Sequence, residues 1–212
     1  MWCDAGPGTF ISMPVDPDLI DAVVLSHRHP DHCADIFAVF HAWTFRPEPR
    51  HQVPLYAPQS VWDRIVGFIE REPECFAFTP VSTGDGFTLG NVSVEFVEMD
   101  HSVPTVGSRW TGAGRTMFYT ADTGPGGTWR GLAEGVDLLL CEASYQGAAA
   151  DKEYPHHLTA GEAGEIARGL GATALTLTHI PPYLRPAVSV SEAEATFGRQ
   201  VRVAVAGTSF DV

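Results

Sequence analysis

The sequence predicts one α/β domain, and three observations carry that prediction. Its 212 residues suit a single domain with room for an inserted lobe. Short aliphatic or β-branched runs bounded by Gly, Pro or Asp alternate with segments that open on capping residues and continue with apolar positions at helical spacing. No repeat, low-complexity tract or linker divides the chain.

Taken in order, residues 22–26 read as a strand, followed by a helix from Asp31 through Phe40. A strand at 53–57 precedes a helix opened by Ser60-x-x-Asp63, with Val61, Ile65 and Ile69 on one face. Residues 92–97, 116–121 and 136–141 are strands. Thr159-x-x-Glu162 is a capping box whose helix ends near Gly169 and Gly171. A strand at 174–178, a helix opened by Ser189-x-x-Glu192 or Ser191-x-x-Glu194, and a strand at 201–206 complete the series.

Composition excludes several classes. Apolar residues at 44% and charged residues at 18% rule out a disordered chain. The longest apolar runs, such as 138–141, are strand-sized and far short of the ~20 residues of a membrane span. No basic stretch leads into an apolar one at the N-terminus, so no secretory leader is expected. The net charge of −13 argues against a general nucleic-acid surface, although a bound cation reverses the sign locally. Cys3, Cys33, Cys75 and Cys141 are scattered without a C-x-x-C pair, so packed thiols in a reducing cytoplasm are expected.

Histidine carries the chemistry. His27-Arg-His29-Pro-Asp31-His32 follows the strand at 22–26 directly, and three imidazoles with a carboxylate in six residues suit zinc or a similar divalent metal. His101, Asp122 and His179 each stand just beyond a predicted strand, where ligand sites gather in open α/β sheets. Each alone reads as a cap or turn residue; together with the cluster they read as a ligand set. His41 and His51 have no partner by spacing, and Trp43, Phe45, Tyr145 and Tyr183 are read as core more readily than as a stacking surface.

In order and spacing these motifs resemble those of the metallo-β-lactamase superfamily. Cys141-Glu-Ala-Ser144 is similar to the Glu-Ala-Thr loop of the ribonuclease Z-like branch, and His157-Leu-Thr159 to its His-Ser-Thr loop. The ending His179-Ile-Pro-Pro182 looks most like actinobacterial proteins grouped with cyclic-nucleotide phosphodiesterases. The resemblance implies a single domain over residues 1–212, folded as a four-layer αββα sandwich with metals in the cleft between sheet edges. It also implies that the chain starts within a strand, at Met1-Trp2-Cys3 ahead of Asp4-Ala-Gly-Pro-Gly8, and that on the order of 40 residues of the family's N-terminal strands are missing before it.

Carried over residue by residue, the resemblance implies two divalent ions, zinc first, with manganese or iron also suited to these ligands. His27, His29, His101 and Asp122 would hold one; Asp31, His32, Asp122 and His179 the other. A hydroxide bridging the pair would attack phosphorus, with Asp31 orienting it. His157 would protonate the leaving alkoxide and Glu142 would orient His157, with His156 as the competing donor. Asp4 would accept hydrogen bonds from the ligand loop or a ligand imidazole. A redox di-iron role is disfavoured, since those relatives place Glu where His29 stands.

The segments between motifs are short and carry no basic glycine-rich arm, so a small phosphodiester such as a cyclic nucleotide is the expected substrate. RNA 3′-end processing is the second enzymatic reading, ahead of lactone, thioester or sulfate ester hydrolysis. A non-catalytic metal-binding protein is the alternative from another class. A homodimer is implied by resemblance alone.

Overall fold

The computed structural model describes residues 1–212, and the chain forms two compact units, Met1–Ser82 and Thr83–Val212. No helix is long and apolar enough to cross a membrane.

The first unit is built on a parallel sheet of β1 (Trp2–Cys3), β2 (Val23–Val24), β3 (Val53–Ala57) and β4 (Phe76–Pro80), in that order. Parallel strands need crossovers, and here these are helical: α1 (Pro30–Cys33) and α2 (Ile36–Thr44) between β2 and β3, and α3 (Gln59–Ile69) between β3 and β4. Alternate residues Val53, Leu55 and Ala57 of β3 are buried, as are Val61 and Ile65 at i, i+4 on α3. They join Ile36, Val39 and Trp43 of α2 in one core. Burying each such aliphatic side chain contributes roughly 1.5–3 kcal/mol.

The second unit holds a seven-stranded sheet. β5 (Gly86–Leu89), β6 (Val92–Glu98), β7 (Val106–Gly112) and β8 (Arg115–Tyr119) form an antiparallel meander. β9 (Leu138–Glu142), β10 (Ala174–Thr178) and β11 (Val201–Val203) continue it in parallel from β8. β6 therefore runs in the same direction as β8, β9 and β10, and all four end at one edge of the sheet. α4 (Arg130–Ala133), α5 (Ala160–Gly169) and α6 (Pro186–Phe197) supply the helices. Leu139, Leu175 and Leu177 pack with Ala163, Ile166 and Ala167 of α5 and with Ala193 of α6.

The structure corrects the element boundaries in several places. The predicted helix from Asp31 through Phe40 is two helices, because Asp35 is held by the chain following β1: its N–H donates to Ala5 O at 2.8 Å and its carboxylate accepts from Phe10 N at 2.8 Å. α3 starts at Gln59 after Pro58, and Ser60 caps nothing; Asp63 accepts from Gln59 Nε2 instead. α6 starts at Pro186, where a fixed φ and a missing N–H suit a first helical turn, so Ser189 lies inside the helix and bonds Gln146 Nε2 at 2.9 Å. The box at Thr159 is formed as read: Thr159 Oγ1 accepts from Glu162 N and Thr159 N donates to Glu162 Oε2. Three strands, β4, β5 and β7, had no sequence prediction.

Candidate active site

In the first unit the histidine cluster is placed by β1 and β2 together. Asp4 follows β1 and Ser26 and His27 follow β2, so the parallel pair sets their backbones side by side. Asp4 Oδ1 accepts from Ser26 N at 2.7 Å and Oδ2 from Ser26 Oγ at 2.8 Å. Asp4 Oδ2 also lies 2.8 Å from His32 Nδ1. Burial works to raise the Asp4 carboxyl, but the His32 imidazole and these hydrogen bonds outweigh it and hold it below the ordinary carboxylate range. His27 is buried, with Nδ1 3.0 Å from Ser26 Oγ. Its Nε2 converges on His29 Nδ1 at 3.1 Å, and His32 Nε2 lies 3.7 Å from Asp31 Oδ2. The sequence places Pro30 at the first helical position, so α1 begins there and lifts Asp31 and His32 into its opening turn.

In the second unit, the four like-directed strands deliver their residues to one edge. His101 follows β6, Asp122 follows β8, Glu142 ends β9 and His179 follows β10. His101 Nδ1 bonds His156 O at 3.1 Å, leaving Nε2 toward Asp122 Oδ2 at 3.9 Å. Asp122 Oδ1 is 3.5 Å from His179 Nε2. These separations exceed a good hydrogen bond and approach the ~3.3 Å ligand–ligand edge of a tetrahedron with bonds of about 2.0–2.1 Å.

The donor chemistry fits a cation. His27, His32, His101 and His179 each have Nδ1 engaged by a serine hydroxyl, a carboxylate or a carbonyl, which makes Nε2 the nitrogen suited to coordinate a cation. Backbone strain concentrates here as well: of six non-glycine residues at positive φ, three are Asp4, His179 and Ala121, the neighbour of Asp122.

Glu142 is fully buried and is the acceptor for five donors. Oε1 takes Thr123 N and His157 Nδ1, at 2.8 and 2.9 Å. Oε2 takes Ser144 N and Leu158 N, both at 3.2 Å, and Ser144 Oγ at 2.7 Å. Glu142, His157 and His179 bring ligand atoms close together, but that grouping is a satisfied hydrogen-bond network. His156 instead faces Asp100 Oδ1 at 3.3 Å, so the Glu142 carboxylate belongs to His157. The His157 ring stacks on His179 with centroids 5.6 Å apart and planes at 11°.

Three participants were not read from the sequence as site residues. Ser144 stands in the quoted Cys-Glu-Ala-Ser motif, and only the β9–β10 pairing shows that it reaches His179. Lys152 donates to His157 O at 2.9 Å and pairs with Glu162, tying the loop that carries His157 to the start of α5. Tyr154 lies 5.6 Å from the His157 ring. Trp43 is buried in the core, whereas Phe45 and Tyr183 are exposed.

Comparison with known proteins gives these clusters a context. The family described as "Beta-lactamase superfamily domain" matches residues 2–180. The protein Rv1339 of Mycobacterium tuberculosis is 34% identical over 200 residues, covering 90% of this chain and 72% of that one. A ribonuclease Z of Halobacterium salinarum is 36% identical over 101 residues, 47% of this chain and 33% of that one. Among solved structures, the metallo-beta-lactamase fold protein YhfI of Bacillus subtilis superposes with a TM-score of 0.85 at 27% identity, over 97% of this chain and 84% of its own. With a family match over residues 2–180 and a structural match over 97% of the chain, the chain belongs to the beta-lactamase superfamily, among its metallo-hydrolases.

Proposed function

We propose that this chain hydrolyses phosphodiesters and that its substrate is small, of the cyclic-nucleotide class. The Glu142–His157 pair carries the proposal. Residues that only hold cations have no use for a further imidazole whose Nδ1 is fixed by a wholly buried carboxylate and whose side chain is 17% exposed. That arrangement suits a proton donor.

In this reading His27, His29, Asp31, His32, His101, Asp122 and His179 hold two divalent cations, zinc first. Bound there, such ions supply an activated water and neutralise charge on phosphoryl oxygens. Asp31, with its side chain 57% exposed, orients the attacking water. His157 delivers the Nε2 proton to the leaving ribose oxygen while Glu142 keeps the ring in place. The stacking on His179 holds the donor beside a ligand imidazole.

The small substrate is supported by what the arginines of the α2–β3 connection do. Arg46 pairs with Asp18 at 2.6 Å, and Arg50 donates to Pro17 O and Ile20 O while lying over the Trp43 ring. Both are engaged within the first unit, in a chain of net charge −13. RNA 3′-end processing is the second reading, favoured by the similarity to ribonuclease Z. The test is metal analysis with parallel assays of cyclic AMP, a precursor transfer RNA and bis(p-nitrophenyl) phosphate. Chelator-sensitive turnover of cyclic AMP is expected. Transfer-RNA cleavage without it would transfer the proposal to RNA; bound metal without any turnover would leave a binding protein.

A further inference from the structure

We propose that Ser144 is a positioning residue, whose hydroxyl fixes His179 as the Nδ1–H tautomer and so presents the lone pair of Nε2, 3.5 Å from Asp122 Oδ1, to a cation. The inference rests on the reading of His179 as a metal ligand, but its core concerns a proton on the metal-free protein.

The argument is an accounting of hydrogens. Ser144 has one hydroxyl hydrogen and three side-chain neighbours within reach of its hydroxyl: Glu142 Oε2 at 2.7 Å, His179 Nδ1 at 2.8 Å and, more distant, His157 Nδ1 at 3.3 Å. A carboxylate oxygen only accepts, so the shortest contact requires the serine to donate to Glu142. The alternative acceptor, His179 O, is 3.4 Å away. With its hydrogen committed, Ser144 Oγ offers lone pairs to the imidazole, and a 2.8 Å contact is then favourable only if His179 Nδ1 carries the proton. The reverse tautomer would set a bare nitrogen against a bare oxygen, or strip Glu142 of its closest donor. His157 needs no share of this hydroxyl, because its Nδ1 has Glu142 Oε1 at 2.9 Å.

The first unit repeats the arrangement on residues with different chain spacing. Ser26 Oγ lies 2.8 Å from Asp4 Oδ2 and 3.0 Å from His27 Nδ1, and Asp4 Oδ2 takes His32 Nδ1 directly at 2.8 Å. Each carboxylate thus holds one imidazole directly and a second through a serine. In one unit the serine follows its carboxylate by two residues, in the other by twenty-two. A local sequence effect would not produce both.

The test reads the imidazole proton by long-range proton–nitrogen correlation spectra of 15N-labelled, metal-free protein, with His179 assigned by its loss in His179→Gln. Wild type is expected to show Nδ1–H at His179. Ser144→Ala should move the population toward Nε2–H and weaken zinc binding by about 10–100-fold. Ser144→Thr, which keeps the hydroxyl, should restore both. An Nε2–H signal in wild type overturns the proposal without any variant. An unshifted tautomer in folded Ser144→Ala, or a shifted one with unchanged zinc affinity, overturns it too. The ligand reading fails separately, by full zinc affinity in His179→Ala with the wild-type tautomer intact.

Discussion

A carboxylate that is fully buried and accepts five hydrogen bonds is expensive to place, since its charge leaves water and every lone pair must be met. At Glu142 the return is orientation: one oxygen anchors His157 and the other anchors Ser144. His157→Ala is therefore expected to separate chemistry from cation binding. Loss of a general acid lowers rate by about 10²–10⁴-fold. The loss should be large with a cyclic nucleotide, whose ribose oxygen leaves poorly, and small with bis(p-nitrophenyl) phosphate, whose phenolate needs no proton. Glu142→Gln should follow the same pattern more weakly. Equal slowing of both substrates, or loss of metal, would count against the donor role. At this scale the sequence was legible wherever chemistry is local: His27 to His32 announces itself in six consecutive residues. It was not legible where a contact depends on strand register. Ser144 and His179 are 35 residues apart, and Thr178 must pair with Glu142 before they meet.

Elements were legible in proportion to how much of their own signal they carry. β3 and β10 match their predicted bounds, being short aliphatic strands with turn residues on both sides. β7 was missed because Gly107, Arg109 and Gly112 break the alternation that marks a half-buried strand. It is held as a strand by its neighbours and by a two-residue turn, Ala113–Gly114, with both residues at positive φ as a type I′ hairpin requires. Glycine also decides how α5 meets α6. A Cβ on Gly164 would collide with Ala193 O and Thr196 Oγ1, whereas one on Gly169 meets nothing within 4 Å. Replacing a helical glycine by alanine gains about 1 kcal/mol from propensity. Overpacking costs about 1–3 kcal/mol, occasionally more. Gly164→Ala should thus destabilise the fold and Gly169→Ala should leave it unchanged or more stable. Urea unfolding of the two variants reads the difference, and equal midpoints would refute the close helix approach.

For the whole molecule, the α/β class was legible because alternation of strand and helix signals survives errors at individual boundaries. The grouping into one parallel and one mixed sheet was not, since β4 and β5 lacked a prediction of their own. Two properties act on the entire chain. The first is charge: a net −13 with Asp31 and Asp122 among the proposed ligands means that bound cations favour the native state. At a hundredfold excess over Kd they stabilise by ~2.7 kcal/mol. For a chain of this length that is a Tm decrease on the order of 5–10 °C on chelation, measurable by calorimetry; an unchanged Tm would argue that no ion was bound. The second is the four thiols. Burial pushes Cys3, Cys33, Cys75 and Cys141 upward, Cys33 to about 11. An unfolded thiol ionises near ~8.5, so the folded chain holds these groups neutral where the unfolded chain does not. The sign follows from linkage: their contribution is intact below about pH 8.5 and falls as pH rises above it, for Cys33 up to about 11. Melting temperature should therefore fall more steeply between neutral and alkaline pH in wild type than in a Cys33→Ser, Cys141→Ala double variant. Ellman's reagent should react slowly with the native protein at mildly alkaline pH and rapidly once denaturant is added. Prompt reaction of Cys33, Cys75 and Cys141 in the native state would show that the two cores do not shield them, and parallel alkaline slopes would remove the thiols from the account of stability.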